Sequence, residues 1–239
     1  MSISGNLKFD APVPPSDAQQ VAYLGAMMAG RPVWVAASTH PGEEAMVAYA
    51  HAMLKVRFPK LLTIIAPRHP ARAAEAIACA NAVGLRSAQR STGGRPHPSV
   101  EVYVADTIGE LGLFYRLSPL VFLGGSLVPR GGQNPIEPLR LDSAVLHGPH
   151  TENFDVVYQA LDRVGGALPV RDGVELAAVA GELLADGGRL GDIARAGQQA
   201  LEPFEGAVAR TLAVLDPFVA QMKLQRLDRG SPVRPLARA

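Results

Sequence analysis

From Arg31 onward, short apolar runs alternate with longer stretches whose apolar residues recur every three to four positions. The short runs predict strands and the longer stretches amphipathic helices. The first strand is "PVWVAAST" at 32–39; the helix "PGEEAMVAYAHAMLKVRF" follows, with Met46, Ala50, Met53 and Leu54 as its apolar stripe. "LLTIIAP" is the second strand, and "PARAAEAIACANAVG" a second helix closed by Gly84. "LRSAQRS" predicts a third strand ahead of the polar loop "TGGRPHPS". "VEVYVAD" is the fourth, with a short helix from Thr107 to about Tyr115. "PLVFLGG" and "SAVLHGP" are the fifth and sixth, each leading to a helix, near Asn134 and from Asn153, and three helical stretches fill 173–222. Strands apolar on both faces, alternating with helices, predict an α/β fold with a doubly wound parallel sheet. This domain covers 31–222. Residues 1–30 read as a linker and lead-in helix, capped by Ser16-Asp17 and ending near Gly30, and 223–239 as a flexible tail.

Composition narrows the class. In 239 residues, 48% are hydrophobic and 19% charged, so the chain can bury a sizeable core. A formal net charge of +1 argues against a nucleic-acid partner held by bulk positive charge. The single cysteine, Cys79, permits no intrachain disulfide and no cysteine zinc cluster, and its helical apolar setting reads as a small buried hydrophobe. No apolar stretch reaches the ~20 residues of a spanning helix. "MSISGNLKFD" lacks the layout of a signal peptide, so the expectation is a soluble, cytoplasmic chain.

The unusual residues gather at the predicted carboxyl ends of the strands, where open parallel sheets bind ligands. In "STHPGEE", Ser38 or Thr39 offers a helix cap, Glu43 and Glu44 suit the first turn, and His40 has no structural duty. In "PRHP", Arg68 offers a forked donor for phosphate or carboxylate and His69 a further one. Thr107 and Glu110 form a capping box. "GGSLVPRGGQNPIEP" at 124–138 admits two readings. Asn134, Pro135 and Glu137 are a helix start, and the glycine pairs let backbone N–H groups close on a phosphate, with Glu137 reaching ribose hydroxyls. His150 and Asn153 follow the sixth strand, Asn153 as a cap. There is no strict GxGxxG, GK[ST], HExxH, CxxC or GxSxG, so neither a metal nor a cofactor is expected.

Together "SGNLKFD", "ASTHPGEE", "PRHPAR", "RSTGG", "ADTIGELGLFY", "FLGGSLVPRGGQNPIEP" and "LHGPHTENF" resemble, in order, the C-terminal half of the Kdo transferases. These enzymes move 3-deoxy-D-manno-octulosonic acid (Kdo) from CMP-Kdo to the lipid A precursor in lipopolysaccharide biosynthesis. The resemblance implies a Rossmann-like half of a GT-B glycosyltransferase. It places Arg68 and His69 near the phosphate or sugar carboxylate, and His40 and Gly42 on the cleft. Asp106, Thr107, Gly109 and Glu110 fall near the nucleotide, Gly125 and Ser126 beside the phosphate, and Gly131, Gly132, Gln133, Asn134 and Glu137 near phosphate and ribose. Gln133 stands where the family commonly has His. The resemblance also implies that CMP-Kdo or CMP is the small-molecule partner. The acceptor pocket, membrane contact and general base of the inverting transfer would belong to an N-terminal domain, at the cytoplasmic face of the inner membrane. The last helical stretch would pack back on that domain. A stand-alone nucleotide-sugar-binding module or inactive fragment, and a nucleotide-sugar epimerase, are the alternatives.

Overall fold

The computed structural model describes residues 5–10 and 12–230. They form two compact units, one of residues 13–202 and one drawn from both chain ends, up to Pro12 and from Pro203. The larger unit is built on seven strands: β1 (Val33–Thr39), β2 (Leu62–Pro67), β3 (Ser87–Gln89), β4 (Val102–Val104), β5 (Leu120–Leu123), β6 (Ala144–His147) and β7 (Ala167–Pro169). All pairings are parallel, in the order β3-β4-β2-β1-β5-β6-β7. The doubly wound sheet is as expected, with one strand more than the sequence pattern predicts. β7 has three residues, of which only Ala167 is buried and the last is a proline, too weak a pattern to read.

The helices are α1 (Ala18–Met28), α2 (Glu43–Leu54), α3 (Ala73–Ala82), α4 (Leu111–Arg116), α5 (Ile136–Leu139), α6 (Asp155–Val164), α7 (Gly173–Leu184), α8 (Gly187–Leu201) and α9 (Ala207–Gly230). Asp17 caps α1, its carboxylate accepting the Gln19 N–H at 2.8 Å. α2 corrects the predicted stripe. Its buried face is Val47, Ala48, Ala50, His51 and Leu54, whereas Met53 is exposed. A buried histidine on that face is unreadable from hydropathy. It is held by Thr63 of β2, whose hydroxyl oxygen lies 2.7 Å from His51 Nδ1 and accepts the Trp34 indole N–H at 2.6 Å. Burial pushes the His51 imidazole down to about 4. Cys79 is half-buried against the core rather than enclosed by it.

In the sheet order, β2, β4 and β3 lie outward from β1 on one side, and β5, β6 and β7 on the other. β1 and β5 therefore flank the point where the winding reverses, and the loops leaving their carboxyl ends diverge around a crevice. That crevice is framed by residues 38–44 and 124–134.

In the smaller unit, Leu7–Asp10 forms a 3₁₀ turn and α9 a long helix interrupted in sequence by Pro217. Phe9 meets Phe204 edge-on, ring centres 5.6 Å apart. The Asp10 carboxylate accepts the N–H groups of Gly206 at 2.7 Å and Val208 at 2.6 Å, which caps α9. The expected tail begins inside α9, and its part at 231–239 lies outside the described residues. Among the described residues, no helix is long and apolar enough to cross a membrane.

Candidate functional site at the strand crossover

β1 ends in a bulge. Its register against β2 skips a residue between Ala37 and Thr39, and Ser38 takes φ +55°. The bulge turns the chain into His40 and then into α2. Neither Ser38 nor Thr39 caps that helix, contrary to expectation; Gly42 occupies the cap position, and the Thr39 hydroxyl donates to Glu44 at 2.9 Å. Glu44 in turn is paired with Arg72.

The structural centre of the site is Glu43, fully buried in the first turn of α2. One carboxylate oxygen accepts the N–H groups of His40 (2.8 Å) and Gly125 (2.7 Å), the other those of Ser126 (3.1 Å) and Leu127 (2.9 Å). Burial raises the carboxyl above its ordinary range, and the four N–H donors oppose that only in part. In this arrangement the backbone N–H groups of Gly125 and Ser126 are not open to a phosphate. Their N–H groups are spent on Glu43, and the Ser126 hydroxyl, donating to Leu123 O and accepting from Gly148 N–H, is spent as well.

The glycines are required by packing. Gly125 has φ +66°, and a Cβ there would stand 3.2 Å from both His40 and Gln133. Gly131 has φ +82°, and its Cβ would fall 2.6 Å from the Asn153 amide. Asn153 is not a helix cap. Its amide donates to the carbonyls of Arg130 (3.0 Å) and Gly132 (3.2 Å), and its own N–H donates to Gly131 O (2.9 Å). The loop closes on itself through Gly132 N–H to Gly125 O at 2.8 Å. A carboxylate on one side and an amide on the other thus hold it rigid.

Beyond the loop, α5 starts at Ile136, two residues after the expected cap, yet Asn134 still satisfies the Ile136 N–H at 3.1 Å. The Asn134 amide also donates to one Glu137 oxygen at 3.1 Å, and burial raises the Glu137 carboxyl above its ordinary value. Glu137 is only partly enclosed, so its other oxygen is placed to accept from hydroxyls.

The "DTIGEL" segment departs from its prediction. α4 begins at Leu111, and Thr107 and Glu110 form no capping box. The Thr107 hydroxyl donates to the Glu110 carboxylate, whose two oxygens also take Arg90 Nε and Nη2, each at 2.5 Å. Asp106 is likewise turned inward. It accepts from the Ser91 N–H, the Ser91 hydroxyl and the Gln89 amide, and although burial pushes its carboxyl up, these bonds hold it below the ordinary value.

Four basic side chains remain on the crevice. His69 meets His40 edge-on, ring centres 6.3 Å apart, and Arg68 and His69 are exposed. Burial holds the His40 imidazole below its ordinary value, helped by the charge of Arg130 and by His69 and Arg68. Next to them a cavity of about 110 Å³ is lined by Ser38, Pro67, Arg68, Thr107, Ile108 and Gly109. Its lining mixes polar and apolar surface in nearly equal parts. The arrangement sets a basic cluster beside a small cavity. Sequence reasoning did not foresee the organising roles of Glu43, Asn153 and Arg90. An acid in a first helical turn looks like a dipole partner, and the donors it binds lie 82 to 84 residues away.

No family model matches the chain. A search of curated proteins finds the 3-deoxy-D-manno-octulosonic acid transferases of Haemophilus influenzae, 34% identical over 92% of this chain and 52% of that protein, and of Bordetella pertussis, 36% identical over 91% and 52%. The chain spans about half the length of the curated relatives it matches. Among solved structures, the C-terminal CMP-Kdo binding domain of WaaA from Acinetobacter baumannii is 32% identical, with a TM-score of 0.73, covering 77% of this chain and 97% of that one. Anabaena HepE, solved with UDP and glucose, shares the fold alone at 13% identity, with a TM-score of 0.58 over 85% of this chain and 53% of that one. The seven-stranded sheet is thus the Rossmann-like C-terminal domain of a GT-B fold. With motif order, sheet and this near-complete match in agreement, the chain belongs to the 3-deoxy-D-manno-octulosonic acid transferase family, of which it represents the C-terminal half.

Proposed function

We propose that this chain is the donor-binding half of a Kdo transferase, holding CMP-Kdo while an N-terminal half supplies the lipid A precursor and the general base. The observation that carries this reading is the convergence of His40, Arg68, His69 and Arg130 at the strand crossover, beside a small slot. A nucleoside monophosphate joined to an acidic sugar presents two anions and a flat base. The basic group fits the anions, and the slot between Pro67 and Thr107–Gly109 fits the base. Glu137, fixed by Asn134, accepts from ribose hydroxyls. Gly42, Gly131, Gly132 and Gln133 shape the walls, and Gly125 and Ser126 serve through the rigid loop rather than as donors. Asp106 and Glu110 support the base slot from behind.

The leaving group in such a transfer is CMP, whose phosphate gains charge as the bond to the anomeric carbon breaks. Arginine and histidine donors placed on that phosphate stabilise the developing charge more in the transition state than before it. This would be the chain's share of catalysis, with inversion driven by a base from the other half. Calorimetric titration with CMP, with UMP and UDP as controls, tests the reading. Saturable CMP binding, weakened about tenfold or more by Arg68→Ala and by Glu137→Ala, is the expected outcome. A folded sample that ignores CMP, alone and with an N-terminal half added, would overturn it.

A further inference from the structure

The "RSTGG" segment at 90–94 supplies no ligand contact to the donor site just described, yet it is tied to it with unusual thoroughness. Arg90 meets Glu110 through two hydrogen bonds of 2.5 Å, and its third nitrogen reaches Tyr103 Oη at 3.3 Å. The guanidinium lies 5.6 Å from the Phe114 ring centre, packed over α4. Glu110 holds the Thr107 hydroxyl, and Tyr103 donates to Gly94 O at 3.2 Å. Hydrogen bonding to Glu110 pushes the Arg90 guanidinium up, and the same contact pulls the Glu110 carboxyl down. Each partner therefore favours the charged form of the other.

Between the two anchored residues, Thr107 and Glu110, lies the turn that walls the slot. Ile108 is 88% exposed, and Gly109 has φ +82°. No hydrogen bond among the described residues uses the backbone N–H or C=O of either residue. Such groups are rigidly placed but uncommitted, which is what reading the edge of a base requires. Cytosine and uracil have almost the same shape. They differ in whether one ring edge presents a donor beside an acceptor or the reverse, so discrimination depends on fixed donor and acceptor positions.

We propose that Arg90 is a positioning residue: acting through Glu110, it fixes the Thr107–Gly109 turn where its backbone distinguishes cytosine from uracil. The inference rests on the donor-site reading above. Arg90 itself touches no ligand. Its effect is to remove the freedom by which the turn would otherwise adapt to either base.

The test is calorimetry on the full chain with CMP and UMP, comparing wild type with Arg90→Gln, Arg90→Lys and the milder Thr107→Val. Val157→Ala, a core truncation on α6, serves as a generally destabilised control. The expected result is a wild-type preference for CMP that shrinks about tenfold in Arg90→Gln, mainly through weaker CMP binding. Arg90→Lys and Thr107→Val fall between the two, and Val157→Ala lowers the melting temperature but leaves the CMP-to-UMP ratio unchanged. If Arg90→Gln does not fold, the Lys and Val variants carry the same comparison. Selective wild-type binding with the ratio preserved in the Arg90 and Thr107 variants overturns this inference alone. Equal wild-type affinity for CMP and UMP also overturns it, while leaving nucleotide binding intact. Absence of any CMP binding, alone and with an N-terminal half added, removes both the donor-site reading and this inference.

Discussion

Glu43→Gln is the smallest change that should dismantle the site without touching a ligand contact. The wild-type carboxylate gives two N–H groups to each oxygen, His40 and Gly125 on one side, Ser126 and Leu127 on the other. A carboxamide has one acceptor oxygen, so either way it is turned, its NH₂ faces two backbone N–H donors. Each hydrogen bond to a charged group contributes about 1.5–3 kcal/mol, so losing two gives about 3–6 kcal/mol. Part is recovered because a neutral amide is cheaper to bury than a carboxylate that burial already destabilises. The net expectation is a loss of about 3–5 kcal/mol, a large fraction of the stability of an ordinary domain. Urea unfolding followed by circular dichroism reads this as a lower midpoint with an unchanged slope. Glu44→Gln is the internal comparison, since Glu44 binds side chains of Thr39 and Arg72 that can reorient. A loss in Glu43→Gln below about 1 kcal/mol, the size of one ordinary hydrogen bond, would refute the view that this carboxylate organises the glycine loop.

Two further predictions concern protons. With a folded value of about 4 against an ordinary 6.5, His51 stays neutral in the fold while the unfolded chain takes up a proton between those limits. Its contribution is complete above about pH 6.5 and is lost as pH falls toward 4, about 2.5 kcal/mol between pH 7.5 and 4.5. Urea unfolding at both pH values should show that loss in wild type and not in His51→Phe; equal pH dependence would exclude His51 as its source. Asp106 and Glu110, held below their ordinary values, lose their contribution only at still lower pH, so the two effects separate. At the crevice, the His40 ring should titrate below its ordinary value in the free protein and move upward on saturation with CMP, because an anion offsets the charges of Arg130 and Arg68. Histidine NMR resonances followed through a pH series check this, and an unmoved His40 would place the phosphate elsewhere.

The sheet was legible because five of its strands, β1, β2, β4, β5 and β6, are buried and apolar enough to stand out between helices; β3 is only half-buried, and β7 was missed because it is short and ends in proline. The edge of the sheet that carries the crevice was legible for the same reason: parallel strands fix which loops share an edge, and His40, Arg68 and His69 fall there. What escaped was the direction in which polar groups face. Glycine-rich loops beside strands suggest open N–H groups, but here a distant acid fills them. Asn153 and Thr107 carry good capping chemistry and are used across loops instead. Such choices depend on which partner arrives in three dimensions, and local spacing holds no record of it.

The cap that Asp10 places on α9 has a consequence for how the chain comes together. Its two bonds join residues 196 and 198 positions apart, nearly the full length of the described chain. During synthesis the turn at Leu7–Asp10 has no partner in α9 until the sheet and eight helices have been made. The smaller unit is therefore the last to close, after a long wait in which Phe9 lacks Phe204. Contacts so distant along the chain slow folding more than they weaken the final state. A chaperone that holds the 7–10 turn would have its longest opportunity on this segment.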